Sequence, residues 1–395
     1  MVETWERVKV CDGNRAGAYG ALLAKPDVIA VYPITPQTSL VEHLTEWKND
    51  GILSAEIVEA EGEISAMASV IGASAVGGRV FTATSSQGLD FMFDTYLMAA
   101  LSRLPVVMVN ANREQPPPTA IAASQQDIMS VLETGWIHIH TETCQEILDS
   151  IIMAYRLAED PEILVPVTVA YDGFYLSYLR EAVELPPEHE VERFLPRRPR
   201  PKIGLESPLN FGFGDGTARG VAEARYRHQA AMERAKERID EIDREFKTIF
   251  GRGYGGQIEE YRTDDAEIVL VSLGSCTGTA RVAIDRKRDQ GIKVGLVKLR
   301  VFSPFPTERI VRVLENKKAV GVIDRSVALG WNCGHVFRGL TISLYSSGIS
   351  LPMADFIDGL GGGDITIDHI ERIVDDTYAA SQGKPLERVT WLQLG

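Results

Sequence analysis

YPITPQTS (32–39), EAEGEISAM (59–67) and TATSSQGLD (82–90) decide the reading of this chain. The first is a turn braced by two prolines. The second is a carboxylate cluster opening a helix, and the third a Ser-Gln-Gly turn opening the next one. Each follows a short apolar run. Ligands of open α/β sheets gather at the carboxyl ends of the strands. Three such loops within the first ninety residues point to one composite site on one sheet edge.

Outward from these loops, VIAVY (28–32), RVFTATS (79–85), LPVVMVN (104–110) and ILVPVTVAY (163–171) read as buried strands. They are continuous and rich in β-branched residues, as parallel strands covered on both faces are. GEISAMASVIGASAVGG (62–78) between them is helical, and its small residues allow close packing on the sheet. The repeat is βαβ, hence an α/β, doubly wound parallel sheet over residues 1–185. Residues 186–263 form a linker and a long helix. Pro186, Pro187, Pro196, Pro199 and Pro201 interrupt regular structure there, and Arg197, Arg198, Arg200 and Lys202 add a basic stretch that reads as clamped to an acidic surface or as an anion or partner contact. Over 218–250, Met232, Ala235, Ile239, Ile242, Phe246 and Ile249 recur at helical spacing. Asp240 with Arg244 and Asp243 with Lys247 suit four-residue ion pairs. This apolar seam needs a partner, in the same chain or on another subunit. Residues 264–395 read as a second α/β domain, with strands at 267–274, 292–300 and 318–325 and helices at 275–291, 307–317 and 367–380.

The net charge of −14 argues against nonspecific nucleic-acid binding, which rests on clustered positive charge. Cys11, Cys144, Cys276 and Cys333 form no CxxC pair, so neither a zinc ribbon nor an iron–sulfur cluster held by this chain alone is indicated. Sparse cysteines, an N-terminus without an apolar signal core and the lack of a charge-free membrane-length run lead to the expectation of a cytoplasmic protein with no membrane span.

Particular side chains then stand out. Thr35, between Pro33 and Pro36, lies on a stiff loop suited to a positioning hydroxyl, or to a plain turn capped by Thr38 or Ser39. Glu59, Glu61 and Glu63 crowd a strand-to-helix junction. Acids in a helix's first turn are common, but the helix behind Glu63 is nearly free of charge, and a carboxyl against an apolar surface can remain protonated and hydrogen-bond a ring nitrogen, which makes Glu63 a functional candidate. Arg113 follows a buried strand, where a guanidinium can grip a carboxylate bidentately or form a surface ion pair. GDG (214–216) follows no convincing strand and does not read as a magnesium–diphosphate motif. Cys276 in GSCTG has no adjacent base and reads as a small buried or capping residue.

Together, GNRAGAYGALLA (13–24), YPITPQTS, EAEGEISAMASVIGASA (59–75), FTATSSQGLDFM (81–92), NREQ (112–115), KLRVFSPFP (298–306), VIDRSVALG (322–330) and FIDGLGGGDI (356–365) resemble the alpha subunit of 2-oxoacid:ferredoxin oxidoreductases of the pyruvate synthase type. The resemblance implies a pyrimidine-side thiamine-diphosphate domain followed by a transketolase-C-like domain. It implies oxidative decarboxylation of a 2-oxoacid, with electrons passing through iron–sulfur clusters to ferredoxin. Glu63, with Glu61 or Glu59 behind it, then corresponds to the glutamate on the aminopyrimidine. Thr35 and Arg113 correspond to the substrate-holding pair, and Ser86 and Gln87 lie in the cofactor-side turn. Diphosphate and Mg2+ belong to a beta subunit, and the clusters to gamma and delta subunits. The implied assembly is a dimer of heteromers, with coenzyme A a further cofactor where the reaction is of the pyruvate type.

Two departures bear on substrate. Arg15 stands where the family usually has an acid, and is a further candidate for holding substrate. After Arg113, the family's small apolar run is replaced by Glu114, Gln115, three prolines and Gln125–Gln126 before Asp127. A polar loop with Gln115 suits a substrate without a methyl group, and the sequence leans toward oxalate over pyruvate. A scaffold subunit with a decayed site is the alternative of another class; Thr35, Glu63, Gln87 and Arg113 argue against it.

Overall fold

The computed structural model describes residues 7–197 and 216–394. Its first sheet runs in the order Val301–Ser303, Ile137–His140, Val167–Asp172, Val106–Asn112, Val80–Thr84, Val28–Val31, Glu56–Glu59. Neighbours pair parallel, except that Val301–Ser303 is antiparallel to Ile137–His140. Strand Val106–Asn112 is buried along its whole length, as its apolar run Val106–Val109 requires at the centre of a covered sheet. One face carries helices Gly13–Ala24 and Cys144–Ala158; the other carries Glu63–Ala75 and Phe93–Leu101. Gly20 lets the first pair of helices touch: a Cβ there would lie 3.0 Å from both Ile151 Cβ and Leu148 O.

The second sheet runs Val389–Trp391, Met353–Ile357, Ala319–Asp324, Ile268–Ser272, Val294–Leu299, Ile258–Tyr261. Its last strand is antiparallel, the others parallel. Three strands here, 258–261, 353–357 and 389–391, and three in the first sheet, 56–59, 137–140 and 301–303, are absent from the sequence reading. They are short edge or near-edge segments with charged or aromatic residues interleaved, so their apolar runs are weak.

Two strands cross the expected boundary at residue 263. Ile258–Tyr261, from the expected linker, belongs to the second sheet. Val301–Ser303, from the expected C-terminal domain, closes the edge of the first. Buried charge holds this exchange. Glu146 of helix Cys144–Ala158 accepts from Lys298 Nζ at 2.6 Å and from Arg300 Nε at 2.9 Å, and Arg300 also donates to Ser150 Oγ at 2.9 Å. The apolar core is shared as well, since Met108 and Tyr96 of the first unit belong to the same buried cluster as Val269, Val297 and Val320 of the second.

The long helix spans Ala218–Phe250, with Thr217 accepting from Gly220 N at one end and Gly251 left-handed at the other. Its seam, including Met232, Ala235, Ile239, Ile242 and Phe246, is buried in the first unit's own core. The expected ion pairs along it are replaced. Asp240 accepts from Gln257 N at 3.0 Å and pairs with Arg309 at 3.1 Å, while Asp243 accepts from Tyr254 N at 2.8 Å. Unsatisfied amides of the following loop are better partners than exposed cations one turn away. In the proline-rich segment, helix Glu188–Phe194 forms directly after Pro187, a residue suited to a helix start. Arg197 clamps to Asp27 at 2.8 Å; Arg198, Pro199, Arg200, Pro201, Lys202 and most of the GDG stretch lie outside the described residues. Cys276 is buried, its thiol pushed up to about 12 by burial, and it donates to Leu273 O. No described helix is long and apolar enough to cross a membrane.

Asp324 and Asp355 end up buried together in the second sheet. Asp324 accepts from Val336 N and Phe337 N at 3.0 Å, opening helix His335–Ser346. Burial, then the neighbouring Asp324 charge, raises the Asp355 pKa well above the ordinary carboxylate range. A folded-state pKa above the unfolded value of about 3.9 stabilises the fold fully below that pH and loses the contribution as pH rises toward the folded pKa. Asp355→Asn should therefore remove roughly 1–3 kcal/mol of the stability lost between pH 5 and pH 9. Urea denaturation at both pH values checks this, and equal slopes with pH in both proteins would refute it.

Candidate active site

The site assembles at the carboxyl ends of the first sheet's central strands. After Val28–Val31 the chain turns through Thr35 and Pro36 into helix Thr38–Asn49. Asn14 Nδ2 fixes the turn, donating to Pro36 O at 2.6 Å and Ser39 Oγ at 2.7 Å. Tyr171 holds Asn14 in turn, donating its hydroxyl to Oδ1. Arg113 follows Val106–Asn112 and reaches across: Nη1 donates to Thr35 O at 3.1 Å and Nε to Ala120 O at 3.3 Å. Its Nη2 makes no hydrogen bond among the described residues. Thr35 and Arg113 are thus brought together, with a guanidinium edge free for an anion.

Glu63 opens helix Glu63–Ala75 and is 7 % exposed. Its carboxylate has no hydrogen-bond partner among the described residues. It faces the turn opening helix Gln87–Phe91, where a Cβ on Gly88 would overlap Thr84 Oγ1 and lie 2.6 Å from Glu63 Oε1. Thr84 Oγ1 and Ser85 Oγ beside it are buried with no hydrogen-bond partner among the described residues. The largely buried Glu63 side chain leaves its carboxylate without a partner among the described residues, so a donor from outside the chain can complement it. Glu59 and Glu61 do not share this cleft. Both are exposed, and Glu61 accepts from Ser65 Oγ at 2.6 Å, which lowers its pKa.

Ser86 joins the two halves. It is fully buried with φ +48° and ψ −123°, strained for a residue with a Cβ. Its N–H donates to Asp127 Oδ2 at 2.9 Å and its hydroxyl to Glu114 O at 2.7 Å. Asp127 also accepts from Arg113 N at 3.1 Å and Asn110 Nδ2 at 2.9 Å. Burial pushes its carboxyl up to about 7 against these donors. Gln87 is exposed beside Ser86.

The remaining candidates are elsewhere. Arg15 lies over the Tyr19 ring in a separate cavity of about 320 Å3 that also includes Trp47. Gln115 Nε2 is bound to both Asp90 carboxylate oxygens at 2.6–2.7 Å. The polar loop after Arg113 turns toward the second unit. Glu114 Oε2 accepts from Gly361 N at 3.0 Å, Gln125 Nε2 donates to Leu273 O at 3.2 Å, and Gln126 exchanges two bonds with Val327. Asp172 and Arg325 form a buried ion pair beside them at 3.0 Å. Glu114, Gln125 and Gln126 are thus committed to the junction between the two units and Gln115 to Asp90, so the loop's polarity no longer argues for oxalate. Asp127, Asn14 and Asn110 were missed as organisers. Asn110, a polar residue inside the apolar strand Val106–Asn112, carried a local signal; Asn14 and Asp127 lie in helices Gly13–Ala24 and Gln126–Ser130 and carried none.

Residues 19–244 match the family described as pyruvate flavodoxin/ferredoxin oxidoreductase, thiamine diP-bdg, and residues 266–370 match pyruvate:ferredoxin oxidoreductase core domain II. The alpha subunit of NADH-dependent phenylglyoxylate dehydrogenase from Aromatoleum evansii is 41 % identical, covering 98 % of this chain and 95 % of its own. Pyruvate synthase subunit PorA from Methanothermobacter thermautotrophicus is 43 % identical, covering 98 % of each. Among solved structures, 2-oxoglutarate:ferredoxin oxidoreductase from Magnetococcus marinus superposes with a TM-score of 0.73 at 20 % identity, over 94 % of this chain and 65 % of that longer one; it supports the fold.

Proposed function

This chain belongs to the 2-oxoacid:ferredoxin oxidoreductase family as an alpha subunit, and we propose that it supplies the pyrimidine-side half of a thiamine diphosphate site that decarboxylates a small 2-oxoacid oxidatively. The observation that carries this is Glu63, a largely buried side chain whose carboxylate has no partner among the described residues and lies against Gly88, where a Cβ would clash with it. Those residues fit an aminopyrimidine: Glu63 would hold its ring nitrogen, with Ser86 and Gly88 walling the cleft. The coenzyme, when bound, supplies a carbon nucleophile and an electron sink. Arg113 Nη2 would take the substrate carboxylate, and Thr35 would position it on the same side. Ile64, Phe91, Phe93 and Met98 leave an exposed apolar rim along the helices beside Glu63. Such a rim suits a beta subunit that carries the diphosphate and Mg2+. Partner subunits would hold the iron–sulfur relay.

For substrate, we favour a 2-oxoacid with an uncharged side chain over oxalate, because Glu114, Gln115, Gln125 and Gln126 are engaged elsewhere. The two relatives above are named for pyruvate synthesis and for phenylglyoxylate, both of this class. The assembled complex should reduce a viologen dye faster with pyruvate or phenylglyoxylate than with oxalate. The opposite ranking would sink this reading.

Arg113→Gln should lower kcat/KM by about 10–100-fold, the worth of a lost charge-assisted hydrogen bond. The loss should fall mainly on KM for the 2-oxoacid, as steady-state kinetics will read. An unchanged KM would remove Arg113 from the carboxylate.

A further inference from the structure

The structure assigns Asp127 as a positioning residue that locks the substrate arginine and the coenzyme cleft into one rigid unit. This rests on the proposed function above and deepens it. The carboxylate is fully buried and does not face the ligand space. One oxygen, Oδ2, accepts from Ser86 N at 2.9 Å, Arg113 N at 3.1 Å and Asn110 Nδ2 at 2.9 Å; Oδ1 accepts from Ile128 N at 2.9 Å. Ser86 and Arg113 leave adjacent strands, Val80–Thr84 and Val106–Asn112, at the sheet edge where both halves of the site form. A second bridge runs beside the first, from Ser86 Oγ to Glu114 O.

The strain at Ser86 gives the contact its purpose. A residue with φ +48° and ψ −123° relaxes unless its surroundings hold it. Asp127 holds it through the amide that the strained turn presents. Two residues on, Gly88 faces the Glu63 carboxylate. Displacement of Ser86 therefore moves the wall of the Glu63 cleft, and displacement of Arg113 moves the anion grip. With one oxygen bonded to both amides, neither shifts alone. Reaction needs the coenzyme carbon and the 2-oxoacid carbonyl at a fixed separation, and a misplacement near 1 Å costs about 10²-fold.

Asp127→Asn keeps the side chain's shape and one acceptor oxygen. Its amide nitrogen must then face either the three donors of Oδ2 or the Ile128 N–H, so the four bonds cannot all survive. In the assembled complex, Asp127→Asn should raise both the 2-oxoacid KM and the half-saturating thiamine diphosphate concentration by about 10- to 100-fold. Coenzyme binding is read separately, as quenching of intrinsic fluorescence without substrate. Hydrogen exchange should quicken together in peptides spanning 81–92 and 106–120. Ser86→Ala, which removes only the second bridge, should move both constants the same way by about 3- to 10-fold, and serves if the Asn variant does not assemble. Quickened exchange in one peptide only, or a change in one constant with the other fixed, overturns the coupling. If the wild-type complex showed no response to thiamine diphosphate, the functional reading itself would fail, whatever the exchange result.

Discussion

Glu63→Gln is expected to lower turnover of the assembled complex by about 10²–10⁴-fold, the range for loss of a positioned proton-transfer group. The substitution preserves volume, so the helix opening at residue 63 and the contact with Gly88 should persist. What changes is chemistry. A carboxyl group can share a proton with a ring nitrogen and stabilise its charged form, whereas an amide cannot. The loss should appear in kcat, with the 2-oxoacid KM changed little, because Arg113 and Thr35 are untouched. Glu61→Gln is the matched control. Glu61 is exposed and already bound to Ser65, and its replacement should leave turnover within about twofold, as exposed substitutions usually do. Rapid-mix kinetics and exchange of the coenzyme's acidic proton into deuterium oxide measure the effect. Full exchange in Glu63→Gln would place the proton chemistry elsewhere.

Glu146→Ala is expected to give the largest loss of stability, about 3–5 kcal/mol, the cost of leaving buried charge uncompensated. Glu146 is 1 % exposed and lies between Lys298 and Arg300, each 2 % exposed or less. Removing it strands Arg300 in the junction between the sheets and leaves Lys298 with Glu142 at 3.0 Å and Glu259 at 3.7 Å. Burial alone would raise the Glu146 pKa, but the charges of Lys298 and Arg300 pull it below its ordinary value. A lowered folded pKa gives stability that is present above the unfolded value of about 4.3 and lost as pH falls through the folded pKa. The gap between wild type and Glu146→Ala should therefore be full at pH 7 and shrink in acid. Denaturant titrations at pH 7 and at pH 3.5 test both size and sign. A constant gap would show that lost packing, and not charge, sets the cost.

The candidate site's geometry was legible in the sequence where one loop carried one role. Glu63 stood at the head of a helix nearly free of charge, and burial now separates it from Glu59 and Glu61. Thr35 and Arg113 each followed a buried strand, and parallel strands deliver such residues to the same edge. Reading failed where a polar residue had two possible destinations. Gln125 and Gln126 looked the same as substrate contacts or as domain contacts, because composition records polarity and not direction. Arg15 was misleading for the same reason: its neighbour Asn14 faces the YPITPQTS turn, while one residue further around the helix the side chain faces another cavity. Asp240 and Asp243 had cations four residues away and chose loop amides that sequence spacing could not weigh.

The sequence by itself determined the α/β alternation, the long helix and the order of the site loops. These depend on periodicity, proline placement and local apolar runs, all short-range. Tertiary structure alone decided that Val301–Ser303 returns to the first sheet, that Lys298 and Arg300 meet Glu146, and that Asp127 ties Ser86 to Arg113. Those outcomes join residues tens to more than a hundred positions apart. Each is fixed by the cost of burying a charge or an amide without a partner, a quantity that exists only once the chain has closed around it.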